Sequence, residues 1–146
     1  MKGTAFLVFL FLSPSVYAQT VENCKILKQI CSNEKIQKGF KLDQADKKLV
    51  LIDKEGKFKD CGYVPFGSHM TSVIYDDSLS AKMTKKDPLV LFHDSCNFYI
   101  IQHFREKSRN YYLFDIIHPC SGLECEGVIR KMNHSYKLVS LNTYVL

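Results

Sequence analysis

Six cysteines, Cys24, Cys31, Cys61, Cys96, Cys120 and Cys125, all follow a short apolar leader, and this pairing constrains the chain more than any other feature. The leader MKGTAFLVFLFLSPSVYA carries Lys2, an apolar block from Ala5 to Leu12, a Ser13-Pro14 break and Val16-Tyr17-Ala18. Small or modest residues at the third and first places before a cut suit signal peptidase, so residues 1–18 read as a signal peptide cleaved after Ala18. The apolar block is too short for a bilayer anchor, which needs roughly 20 residues. The expectation is a secreted, extracellular chain without membrane insertion, in which residues 19–146 form a single β-rich domain.

In an exported chain of this size an even cysteine count predicts three disulfides, with the connectivity left open. A helix from Val21 would hold Cys24 and Cys31 about 10 Å apart along its axis, beyond the roughly 7 Å that a bridge spans. Each is therefore expected to staple that helix to a different part of the body. Cys120 and Cys125 flank Ser-Gly-Leu-Glu, where a local bridge fits. No C-x2-C pair occurs, so the cysteines point away from zinc, and neither a metal nor any other cofactor is expected. Asn133-His134-Ser135 is the one N-x-S/T triplet, and in an exported chain it predicts glycosylation of Asn133 at the surface.

With 46% hydrophobic and 24% charged residues the chain is too apolar for disorder, and its 146 residues suit one compact domain. Cys24, Leu27, Ile30 and Cys31 recur at steps of three and four, predicting an amphipathic helix from Val21 to about Gln37. Beyond Gly39 the pattern is β. Lys48–Asp53, Lys54-Glu55-Gly56 and Lys57–Phe66 read as strand, tight turn and strand, and His69–Tyr75 as a further strand. Residues 76–87 read as an exposed connection and Leu89–Phe92 as a strand. Asn97–Phe104 and Tyr111–His118 read as a hairpin around the polar turn Arg105–Asn110, and Val128–Met132 and Tyr136–Val145 as the last strands. The fold class is thus mainly β: a disulfide-stapled antiparallel β-sandwich or small barrel with one N-terminal helix.

Pairing Phe104 with Tyr111 places Tyr99, Ile101 and His103 on one face with Tyr112, Phe114 and Ile116. Phe98, Ile100, Gln102 and Phe104 then share the other face with Leu113, Asp115 and Ile117. Tyr99, Ile101, His103, Tyr112 and Phe114 are accordingly the expected contact residues for a ligand or partner. Asp115 is the one acid whose place in an apolar strand would raise its pKa. His93-Asp94-Ser95-Cys96 resembles a catalytic grouping only in sequence, because neighbouring strand residues point to opposite faces. Bridged cysteines offer no thiolate, and no phosphate loop, G-x-S-x-G or H-E-x-x-H occurs, so no enzyme is expected. The positive charge, formally +5, is mostly lysine interleaved with acids, which describes a solvated face and not a nucleic-acid site.

Lys57-Phe58-Lys59-Asp60-Cys61-Gly62 resembles the opening of the secreted lipid-recognition domains related to the Niemann-Pick type C2 sterol carrier, although the residues after it depart from that family's cysteine and proline order. Phe92–Ile101 resembles the acidic strand-opening segment of secreted lipocalins, but a chain without Trp lacks the lipocalin glycine-x-tryptophan signature. These short likenesses assign no family. The leading expectation is a non-enzymatic binding protein that engages an extracellular protein or receptor through a Tyr-rich β surface. The lipocalin likeness implies the alternative, a carrier of a small apolar ligand inside a barrel.

Overall fold

A computed structural model describes residues 14–42, 48–78, 82 and 97–146. Helix α1 spans Pro14–Cys31 and α2 spans Glu34–Gly39; seven strands follow, β1 Val50–Asp53, β2 Tyr63–Phe66, β3 His69–Ile74, β4 Phe98–Ser108, β5 Tyr111–His118, β6 Leu123–Lys131 and β7 Tyr136–Val145. The helix expected from Val21 to Gln37 starts earlier and is broken. Asn33 caps α2, its side chain accepting the Lys35 N–H at 3.0 Å, so the chain turns where periodicity alone read straight through. The expected cut after Ala18 falls inside α1, and cleavage there would leave a helix from Gln19. Val16 and Tyr17, ahead of that cut, are 65% and 77% exposed and add little to the core.

The strands form one curled, mixed sheet in the order β2-β3-β1-β4-β5-β6-β7. It is mainly β as expected, but not wholly antiparallel. β1 runs parallel to both β3 and β4, with Leu51 beside Val73 and Tyr99, and only β4 to β7 form an antiparallel meander. The strand-turn-strand reading of residues 48–66 is corrected accordingly. β1 and β2 do not pair, because β3 lies between them and β2 forms its hairpin with β3. Residues 54–62 carry the chain across the end of β3. Asp53, 1% exposed, organises that passage by accepting the Phe58 N–H at 2.6 Å and the Glu55 N–H at 3.3 Å.

The β4–β5 hairpin has the expected strands but not the expected turn. Arg105 to Ser108 continue β4, Ser108 pairs with Tyr111, and the turn shrinks to Arg109-Asn110 with Asn110 at φ 68°. Asparagine tolerates this left-handed conformation, and hence the tight reversal. The register moves with it, so Phe104 lies opposite Phe114 and not Tyr111. A bulge between Ile101 and His103 adds a residue to β4 and reverses the alternation beyond it. Phe104 therefore turns into the core, and His103 turns out.

The concave side of the sheet packs against α1 through Ile26, Leu27 and Ile30, all at most 1% exposed. Each such buried side chain contributes roughly 1.5–3 kcal/mol relative to an exposed one. Tyr99 sits between the rings of Phe40 and Phe66, at 5.1 and 4.9 Å between centroids, with His118 stacked on it at 4.5 Å. A smaller cluster, Ile52, Phe98, Ile100 and Ile117, lies on the convex side. Gly127 admits Phe114 against the backbone of β6, where a Cβ would meet the ring at 2.4 Å.

Cys24 is bridged to Cys61, which fastens α1 to the loop ahead of β2. Cys120 is also disulfide-bonded. The expected third bridge is not formed: Cys31 and Cys125 are free thiols, both buried. Burial pushes the Cys31 thiol far above its usual pKa, and Cys125 Sγ lies 3.4 Å from Thr143 Oγ1. The local Cys120–Cys125 bridge is excluded with it. Cys125 points into the concave core on β6, whereas Cys120 packs at the convex cluster. Cys96, the strand expected at Leu89–Phe92 and the His93-Asp94-Ser95-Cys96 segment lie outside the described residues, as does most of the connection expected over 76–87. Among the described residues no helix is long and apolar enough to cross a membrane.

Candidate functional site

Four of the five expected contact residues come together, but within the core and not at a surface. Tyr99, Ile101, Tyr112 and Phe114 are 4%, 2%, 6% and 1% exposed and belong to the concave cluster. The fifth, His103, is carried by the bulge to the convex face, where its Nδ1 lies 3.0 Å from Glu55 Oε1. Glu55 also accepts the Phe104 N–H at 3.3 Å, and Lys54 Nζ donates to Gln102 Oε1 at 2.9 Å. The segment just after β1 thus holds the bulge in place.

From His103 a row of polar residues crosses the convex face. His103 pairs across the strands with Asp115, Asp115 with Glu126, and Glu126 with Asn142. Glu124 and its cross-strand partner Tyr144 lie alongside, two residues along β6 and β7. Asp115 Oδ1 is buried and has no hydrogen-bond partner among the described residues. Burial first, then the hydrogen bond and charge of Glu124, push its carboxyl up to about 7, against the opposing pull of His103. The Asp115 carboxyl therefore holds its proton to a higher pH than an ordinary aspartate does. Glu124 also accepts from the Tyr144 hydroxyl, whose pKa is pushed up to about 12 by that hydrogen bond.

Glu55, His103, Arg105, Leu113, Asp115 and Glu126, with the rims of Phe104 and Phe114, line a groove of about 320 Å³. It offers carboxylate acceptors at Glu55 and Glu126, a carboxyl of raised pKa at Asp115 and apolar contact at Leu113. Among the described residues no group of three or more His, Cys, Asp or Glu is arranged to hold a metal ion. The acidic members Glu55, Glu124 and Glu126 escaped the sequence reading. The alternation Glu124-Cys125-Glu126 in a strand was the available signal, since it sets two carboxylates on one face.

A second groove, of about 470 Å³, lies between the start of α1 and the β6–β7 turn. Glu22 anchors it, accepting the Tyr112 hydroxyl at 2.8 Å and Lys131 Nζ at 2.6 Å. Burial raises the Glu22 carboxyl, but Lys131 and Tyr112 more than offset that and hold it below its ordinary value. Asn133 is exposed in the same turn, which the Met132 N–H closes onto the Ser135 carbonyl at 2.7 Å. Comparison with protein-family models, with curated proteins and with solved structures finds no match.

Proposed function

We propose that the protein is a secreted, non-enzymatic binding protein that engages an extracellular macromolecule, a protein or receptor, through the convex face of β4 to β7. One observation carries this reading. The aromatic side chains that would line a carrier's cavity are packed against one another and α1, while the convex face presents an accessible groove rimmed by carboxylates, His103 and Leu113. Tyr111 and Tyr144 belong to the same face, Tyr111 under the Arg130 guanidinium at 5.3 Å, and such residues supply rigid, partly polar contacts at interfaces. The Cys24–Cys61 bridge supports passage through an oxidising compartment.

The test is saturable binding of labelled protein to cell surfaces and to components of extracellular fluid. Glu126→Lys, at an exposed groove position, should weaken that binding about tenfold or more, whereas Lys28→Glu on α1 should leave it unchanged. Absence of saturable binding, or equal binding by Glu126→Lys, would overturn the proposal. An apolar molecule co-purifying in native mass spectrometry would favour the carrier instead.

A further inference from the structure

The sheet has two ends, and they differ in a way that selects an occupant for one of them. β2 is four residues long and contains Pro65, which has no N–H to offer a further strand. β7 is ten residues long, contains neither Pro nor Gly, and has no strand beyond it among the described residues. From Leu138 to Leu146 it carries no charged side chain, in a chain whose formal charge is +5. Asn142, Thr143, Tyr144 and Val145 are all exposed, Val145 by 70%.

The direction of the free backbone groups follows from the ladder with β6. The Leu146 N–H donates to the Gly122 carbonyl at 2.8 Å, so residue 146 points toward β6. In an antiparallel ladder the direction alternates, so Asn142 and Tyr144 also point toward β6, while Leu141, Thr143 and Val145 point away from it. Among the described residues these three have backbone donors and acceptors at the sheet edge that no neighbouring strand pairs. Their spacing is self-complementary. A two-fold axis at Thr143 sets Leu141 against the second copy's Val145, Thr143 against Thr143, and Val145 against the second copy's Leu141, each pair exchanging two hydrogen bonds. On the convex side the same register sets Asn142 opposite the second copy's Tyr144. No like charges meet along this span, because Lys137 lies outside it. The Val139 bulge closes the span on one side by taking the strand out of register with β6.

We propose that two copies of this chain join edge to edge through β7, antiparallel about a two-fold axis at Thr143, making one continuous sheet with both convex faces on the same side. Sedimentation analysis of the secreted protein over a concentration series should then give twice the chain mass at the upper end. Asn142→Lys with Tyr144→Lys places like charges opposite each other only in the pair, and should weaken association about tenfold or more. Asn142→Lys with Tyr144→Glu places opposite charges there and should restore it in part, because the new carboxylate also faces Glu124 on β6. Val145→Pro removes an outward-pointing N–H without removing a bond to β6, and should also favour the single chain; circular dichroism confirms that each variant is folded. A single chain at every concentration would overturn the proposal. So would a dimer indifferent to both double variants, or an edge that takes up an unrelated extended peptide in preference to a second copy.

Discussion

Removing the Cys24–Cys61 bridge should lower the stability of the oxidised protein by about 3.8 kcal/mol. The bridge joins residues 37 apart in sequence. Chain-entropy theory assigns a loop of that length about 13 cal/mol/K of lost freedom in the unfolded ensemble, which is about 3.8 kcal/mol at 25 °C. Both cysteines are only half buried, so replacing the pair with alanine, Cys24→Ala with Cys61→Ala, adds little loss of packing. Urea unfolding of the double variant and the parent, with the Cys120 bridge left oxidised in both, measures the difference. With a denaturant slope of about 2 kcal/mol per molar, the midpoint should fall by about 2 M. A fall of less than about 0.5 M with an unchanged slope would refute the reasoning. It would mean that α1 and the loop at Cys61 already lie close in the unfolded chain, or that the bridge strains the native one.

Gly127→Ala should destabilise the sheet by roughly 1–3 kcal/mol, because its Cβ would meet the Phe114 ring at 2.4 Å and the Ser140 carbonyl at 3.0 Å while Phe114 is itself buried. Thermal unfolding should fall by several degrees, and Phe114→Leu in the same chain should recover part of the loss; an unchanged midpoint would count against this packing. The Asp115 carboxyl, raised from 3.8 to about 7, is protonated in the folded state at pH values where the unfolded chain has released its proton. Its effect on stability is therefore greatest at acid pH and is lost as pH rises from about 4 to about 7. Asp115→Asn should flatten that decline in urea midpoints measured from pH 4 to pH 8, and identical pH profiles for the two proteins would sink the assignment.

β5, Tyr111–His118, has the bounds its composition indicates, and β3 and β7 fall where β-branched and aromatic runs put them. Those strands were legible because side-chain alternation is a local property. Pairing is not local. The polar run Arg105 to Ser108 reads as a turn, yet it continues a strand because its end is solvated and Asn110 alone makes the reversal. The candidate site was least legible for the same reason. One added residue at Gln102 decides which of His103 and Phe104 faces water, and the groups that fix it, Lys54 and Glu55, lie 48 and 49 positions away. An even number of cysteines likewise says nothing about which two sulfurs the folded chain keeps buried and apart.

The place of β1 has a consequence for the order of assembly during synthesis. β4 to β7 are joined by short connections and can pair as soon as each hairpin is complete, but β1 is flanked by β3 and β4, with Val50 waiting for Phe98. The ribosome therefore releases the apolar segment Val50–Asp53 well before its second neighbour exists. At about 5–20 residues per second that interval lasts a few seconds, long enough for an unpaired strand to find a wrong partner. Partial chains that end before residue 98 should thus be the aggregation-prone species of this protein.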